Sequence, residues 1–253
     1  GTIMALNIFG RLALRWNWQV PVLLTAFYCL FALVVSFFKH PGLPVDVVLP
    51  QHEKLEVKKM AGTAIGAGRL IWLVAFIWMM YNAAAISYLT FAGDYYVSAG
   101  YNAGYAGFLT SLFMVGSLLF CPLAGYLTDK VGKEEYFIMI GCAVLTLLLW
   151  LVPRTGLNPL LSGSLIGIAA AFVPVPVYSL VPKYLPPEQM GMGYGILSTC
   201  LNIGVLVGPL LVGLSYDWSR SYVFGFALMA VFSAATALIA ILLLRLSNWS
   251  RFP

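Results

Sequence analysis

Gly125-Tyr126-Leu127-Thr128-Asp129-Lys130-Val131-Gly132-Lys133 (GYLTDKVGK) lies between two long apolar runs. An Asp and two Lys cannot enter hydrocarbon cheaply, so this short turn belongs at a membrane surface. The rest of the chain agrees with that setting. Its 253 residues are 61% hydrophobic and 9% charged, against about 25% charged in a soluble domain. Too few polar groups remain to clothe a water-facing surface. The apolar runs are continuous rather than alternating, so an all-α polytopic bundle is expected and a β-barrel is not. The net charge of +5 does not signal nucleic acid, because the basic residues are scattered through short loops, where they encode topology. Cys29, Cys121, Cys142 and Cys200 all fall in apolar runs without metal-ligand spacing, so no metal or cofactor is expected.

A membrane crossing takes about 20 apolar residues. Gly1 to Leu14 reads as the tail of a helix, followed by an interface marked by Arg11, Arg15, Trp16 and Trp18. The first full span runs from about Trp18 to Phe38. A polar connector, Lys39 to about Gly68, carries His40, His52, Pro41, Pro44 and Pro50 among its charges. The spans after it cover about Arg69–Ala92, Ala103–Thr128, Tyr136–Val152, Leu160–Val181, Gly193–Tyr216 and Tyr222–Leu246. With the connector inside, Lys39, Lys54, Lys58, Lys59, Arg69, Lys130, Lys133, Lys183, Arg245 and Arg251 lie in the cytoplasm. Arg11, Arg15, Arg154 and Arg220 lie outside, an excess that obeys the positive-inside rule.

The order G-x-L-x-D-x-x-G-K in Gly125–Lys133 resembles the cytoplasmic loop motif of the major facilitator superfamily of transporters. The long connector between groups of spans is similar to that family's division into two six-helix halves. The resemblance implies that residues 1–38 hold the end of family helix 5 and helix 6, and residues 39–68 the cytoplasmic central loop. Residues 69–246 would be the second half, helices 7 to 12, and 247–253 a cytoplasmic tail. The chain would then be a fragment that lacks the N-terminal half. The implied function is transport of a small solute by alternating access across a lipid bilayer, the cell membrane being the expected one. The implied partners are the solute, the bilayer and the missing first half, with no nucleic acid and no enzymatic activity.

In the motif, the resemblance makes Gly125, Asp129, Lys130, Gly132 and Lys133 a cytoplasmic gate latch. Asp129 would accept hydrogen bonds from a neighbouring helix N-terminus, and Gly132 allows the tight turn. Thr128, where a small residue is usual, and Glu134-Glu135, where basic residues are common, depart from the pattern. Farther along, Pro182–Gly195 resembles the family loop between helices 10 and 11. Gly204, Gly208, Pro209 and Gly213 form a GxxxGP pattern that permits close helix packing and a bend.

Polar side chains within spans are the candidates for a substrate path. The resemblance points to helices 7, 8, 10 and 11. Tyr81, Asn82, Tyr88, Tyr178, Thr199 and Asn202 are the candidates, with Tyr81 and Tyr88 two turns apart on one face. Hydrogen bonding within or between helices is the competing role for each. No ionisable residue lies in the middle of a complete span, and Asp94 and Lys183 sit near ends. A seven-helix receptor fits the span count but lacks Asp-Arg-Tyr and Asn-Pro-x-x-Tyr sequences at the matching helix ends. A polytopic membrane enzyme would need a cluster of His, Asp or Glu, for which only His52, Glu53 and Glu56 offer material.

Overall fold

The computed structural model describes residues 19–39 and 68–249. The expected end of helix 5, the Arg11–Trp18 interface, the central loop with its two His, and the tail beyond Trp249 lie outside the described residues. The chain divides into two units, Gly1–Thr63 and Ala64–Pro253. In the first, helix α1 (Gln19–Lys39) has 21 residues and carries the apolar stretch Val22–Val35. It matches the first expected span to within a residue at each end.

The second unit holds α2 (Arg69–Ser98), α3 (Ala103–Val131), α4 (Glu134–Leu151), α5 (Pro159–Ala171), α6 (Pro174–Tyr184), a 3-10 turn (Pro187–Gln189), α7 (Met190–Ser219) and α8 (Tyr222–Trp249). Among the described residues, six segments are long and apolar enough to cross a membrane: Leu70–Ser98, Ala103–Val131, Glu134–Leu151, Pro159–Tyr184, Pro187–Ser219 and Tyr222–Ser247. The fold is a six-span helical bundle. Asn102 and Asn158 start α3 and α5 by accepting the N–H groups of Tyr105 and Leu160, at 2.8 and 2.9 Å. Gly132 ends α3 in the left-handed region at φ 66°, where a side chain would be strained, and its N–H reaches Thr128 O at 2.8 Å.

Helix α2 is the axis of the packing. It lies against α7 and α8, while α8 also packs on α4 and α3 pairs with α5. Lipid supplies no hydrophobic force between helices, so close van der Waals contact has to hold them. Small residues permit it. A Cβ on Gly204 would run into the carbonyl of Met79, and one on Gly208 into the backbone of Ala83. The α3–α5 pair closes in the same way, with Gly116 facing the backbone of Gly167 at 2.7 Å from a would-be Cβ. Gly213 behaves differently: a Cβ there would make ordinary contact with the Phe91 ring at 3.4 Å. Pro209 sits inside α7, which continues through it from Met190 to Ser219.

The expected span Leu160–Val181 is not one helix. It breaks at Phe172–Val173 into α5 and α6. Pro174 is the cause: it has no N–H to give to the carbonyl of Ala170, and its ring crowds that carbonyl. Inside a membrane a freed carbonyl needs another donor. Tyr81 supplies it, its hydroxyl donating to Ala170 O at 3.0 Å from α2. The α2 span also runs past the expected end at Ala92 to Ser98. Asp94 lies exposed on that added turn, and Tyr96 is buried there.

Tyr81→Phe leaves the Ala170 carbonyl buried and unpaired, and we expect it to destabilise the bundle by about 1–3 kcal/mol. In a Pro174→Ala background a backbone N–H becomes available at that position, so the same substitution is expected to cost less. A double-mutant cycle by denaturant titration in mixed micelles measures both. An equal cost in the two backgrounds would separate the hydroxyl from the break.

Candidate functional site

Three regions gather the polar side chains of the second unit. The first is at the end of the bundle where α3 turns into α4. Thr128, buried, donates its hydroxyl to Ala124 O at 2.7 Å, which keeps this polar residue inside the helix packing. Gly125 faces Val175 of α6, and a Cβ there would lie 3.5 Å from its methyl group. Asp129, Lys130 and Lys133 are exposed. The ammonium groups of Lys130 and Lys133 lie 5.8 and 5.4 Å from the ring centres of Tyr126 and Tyr136. Asp129 has no ion pair or side-chain hydrogen bond among the described residues. The helix expected to meet it, family helix 5, falls outside them.

The two acidic residues that depart from the motif are the ones the fold puts to use. Glu134 and Glu135 open α4, where a helix N-terminus favours negative charge. Lys183, near the end of α6, donates to Glu134 Oε2 at 2.6 Å and to Glu135 Oε1 at 3.1 Å. Tyr184 donates its hydroxyl to Glu135 Oε1 at 2.8 Å. The Glu135 side chain is 4% exposed, so its charge depends on these partners. This clamp ties α4 to α6 beside the GYLTDKVGK turn. Sequence reasoning saw each charge but not the pairing, because 48 residues separate Glu135 from Lys183.

The second region is the face shared by α2, α6 and α7. Trp78 and Tyr81 stack, with ring centres 5.5 Å apart at 12°. Tyr178 meets Trp78 edge-on at 5.3 Å, and Tyr194 lies 6.0 Å beyond Tyr178. Next to them is a recess of about 470 Å³ lined by Pro174, Val175, Tyr178, Ser179, Pro182 and Tyr194. Thr199 and Asn202 are exposed on α7, donating to Gly195 O and Ser198 O at 3.0 and 2.8 Å. Tyr194, Ser198 and Asn202 follow at successive turns of that helix.

The remaining candidates sit deeper. Tyr81 is buried with its hydroxyl engaged by Ala170, and Asn82 is buried with its amide donating to Trp78 O at 2.7 Å. Tyr88 is not brought together with Tyr81. It packs on Phe113 and Phe226, and its hydroxyl lies 3.5 Å from that of Tyr96. Their two-turn spacing is offset by the different neighbours each meets, α5 for one and α3 with α8 for the other. Trp78 was not a candidate from sequence, where it reads as one more apolar residue. At the opposite end of α2, Tyr95, Tyr96, Tyr101 and Tyr105 line a recess of about 570 Å³ with Asn158 and Ser162.

The fold is that of a multi-pass helical membrane protein. A family model described as Major Facilitator Superfamily matches residues 93–248, and the chain belongs to that family. It is 27% identical over 183 residues to a protein named Lysosomal dipeptide transporter MFSD1 from Gallus gallus, covering 70% of this chain and 40% of that one. The Homo sapiens protein of the same name is 24% identical over 179 residues, covering 70% and 38%. The Multi-drug resistance efflux pump PmrA of Streptococcus pneumoniae is 32% identical over 120 residues, 44% of this chain and 28% of that protein. Among solved structures, a peptide transporter POT in complex with sulfate superposes with a TM-score of 0.62 at 19% identity, over 68% of this chain and 37% of that one. The chain thus spans about two fifths of the length of the dipeptide transporters it matches. These relatives are transporters by name, and neither the receptor nor the enzyme alternative finds support among them.

Lys183→Met would leave two carboxylates, one of them buried, without their counter-charge. Breaking such a pair costs about 3–5 kcal/mol, and the partial exposure of Lys183 puts the expected loss near the lower end. Adding Glu135→Gln to Lys183→Met is expected to recover part of it. Denaturant titration of the three variants in mixed micelles measures the recovery, and its absence would show that the clamp is not electrostatic.

Proposed function

We propose that this chain acts as the second half of a solute carrier that works by alternating access. The observation that carries the reading is the six-span bundle itself, matched to the family and broken at the span that lines the aromatic face. Substrate sites in such carriers are built where a membrane helix is discontinuous. In this reading residues 1–38 complete a first half, 39–68 link the halves in the cytoplasm, 69–246 form the half described above and 247–253 a cytoplasmic tail. The partners are the other half, the bilayer and a small solute. Two halves of nearly equal packing energy in two arrangements let the site face each side in turn.

Gly125, Asp129, Lys130, Gly132 and Lys133 serve as the cytoplasmic gate, with Asp129 free to meet the other half. Tyr178, Thr199 and Asn202 meet the solute from the exposed face, Tyr81 and Asn82 hold that face in place from behind, and Tyr88 packs deeper in the same path, against Phe113 and Phe226. Short peptides are the leading substrate class, supported by the names of the dipeptide transporters at 24–28% identity. A drug-type solute is the second reading, favoured by the 32% identity to the efflux pump and by the aromatic lining of the recess. The lysosomal names of the first group and the cell membrane expected from sequence are both consistent with a multi-pass topology; imaging of the tagged full-length protein discriminates them.

The test is uptake by the full-length protein in liposomes, with Ala-Phe and ethidium as probes, with and without a pH gradient. Saturable uptake of the dipeptide is expected, and uptake of ethidium alone would move the assignment to the second reading. Asp129→Asn is expected to slow transport by roughly tenfold, the effect of about 1.4 kcal/mol on a gate equilibrium, without weakening solute binding. Unchanged transport would remove the latch role.

A further inference from the structure

Trp78 presents the anomaly on the aromatic face. Its side chain is 6% exposed, and its indole nitrogen is the buried side-chain polar atom without a hydrogen-bond partner among the described residues. Three polar side chains around it are engaged by backbone carbonyls. The Tyr81 hydroxyl goes to Ala170, the Asn82 amide takes the Trp78 carbonyl, and Ser179 donates to Val175 O at 3.1 Å. An unpaired donor in a membrane interior is costly, and native proteins leave few of them. Trp78 lies nine residues into α2 from Arg69, about 14 Å along the helix and inside the segment Leu70–Ser98 that is long and apolar enough to cross a membrane.

The rings form a ladder from this donor to the recess. Tyr178 covers Trp78 edge-on and is 43% exposed, and Tyr194 follows at the rim with 37% exposure. Tyr178 is the exposed ring packed directly on Trp78, and it stands on the short helix α6 beyond the break at Phe172–Val173. The lining is neutral. The charges of these elements lie at their ends: Arg69 and Asp94 toward the two ends of α2, Lys183 at the clamped end of α6, Glu188 in the 3-10 turn before α7 and Asp217 in the last turn of α7. Among the described residues that line the recess a charged group finds no counter-charge, whereas a planar ring finds aromatic faces and edges to pack on.

We propose that Trp78, Tyr178 and Tyr194 form an aromatic subsite that takes an uncharged aromatic group of the solute, with an adjacent carbonyl oxygen accepting the Trp78 indole N–H once Tyr178 swings aside. The subsite rests on the carrier reading and names the part of the solute that this half recognises. Trp78 fixes the acceptor and Tyr178 with Tyr194 the ring. Any charged ends of the solute are left to residues elsewhere in the full-length protein.

The experiment compares Ala-Phe with Ala-Ala in the full-length protein, which differ in the ring and share the carbonyl. Binding is read by the rise in thermal unfolding midpoint and transport by liposome uptake. Trp78→Phe keeps a ring against Tyr81 and removes the N–H; it is expected to weaken both dipeptides by roughly three- to tenfold, the effect of one neutral hydrogen bond. Tyr178→Leu, at an exposed position, is expected to abolish the preference for Ala-Phe over Ala-Ala. Uptake that proceeds in both variants with unchanged KM and unchanged preference overturns the subsite and leaves the carrier reading standing. Binding of Ala-Phe that Trp78→Phe weakens, without uptake, keeps the subsite and overturns the carrier reading. Neither binding nor uptake of either dipeptide overturns the subsite together with the peptide assignment.

Discussion

The bond from the Tyr81 hydroxyl to the Ala170 carbonyl ties together the features that set this half apart from a plain bundle. A membrane offers no water to a carbonyl that loses its helical partner. Pro174 frees that carbonyl and Tyr81 takes it up across the bundle. The break therefore survives in the membrane because α2 supports it, and α2 can do so because it is pressed into the centre. Gly204 and Gly208 bring α7 against Met79 and Ala83 closely enough that no side chain fits between. The same helix that is held by glycines carries the hydroxyl that holds the break, and Trp78 sits one turn before it.

Charge is sorted by position along the bundle. At one end Glu134, Glu135, Lys183 and Tyr184 form a clamp with one carboxylate nearly buried. In the middle the polar groups are neutral and mostly satisfied by backbone, as Ser233 shows by donating to Cys142 O across helices at 3.0 Å. This division follows from the energetics of hydrocarbon, where a paired charge near the interface is tolerable and an unpaired one at depth is not. In the proposed carrier, selectivity in this half would then come from shape, aromatic faces and single hydrogen bonds rather than from ion pairing.

The helices were legible because apolar runs of membrane length are a strong signal, and the loop turn was legible because charge between such runs has few explanations. The break in the fourth span of the bundle was not, since Phe172 and Val173 are as apolar as their neighbours and a hydropathy reading passes over them. Pro174 and Pro176 were visible, but only the structure shows that α6 starts at the first of them. The clamp was hidden by separation along the chain, and the two Glu read as a mild departure from the loop pattern. Among the substrate-path residues, composition gave no means of telling the exposed Tyr178, Thr199 and Asn202 from the buried Tyr81, Asn82 and Tyr88. That difference depends on which helix faces which. Trp78 escaped because an indole in a span reads as apolar, and its N–H becomes informative only when its surroundings are known to lack an acceptor.

The clamp and the aromatic face meet on α6. This helix has 11 residues, begins at the break and ends in Lys183 and Tyr184. Tyr178 lies in its middle, five residues before the cation that binds Glu134 and Glu135. Helix α6 is severed from α5 at one end and ion-paired at the other. A shift of α6 that carries Tyr178 off Trp78 must act on the Lys183 contacts as well, while the tightly packed pair of α2 and α7 stays in place as the reference. Coupling between two sites requires an element with two arrangements that both sites bias. In the proposed carrier α6 has the position and the attachments to be that element, with the proposed aromatic subsite at its middle and the Glu134–Glu135–Lys183 clamp at its end.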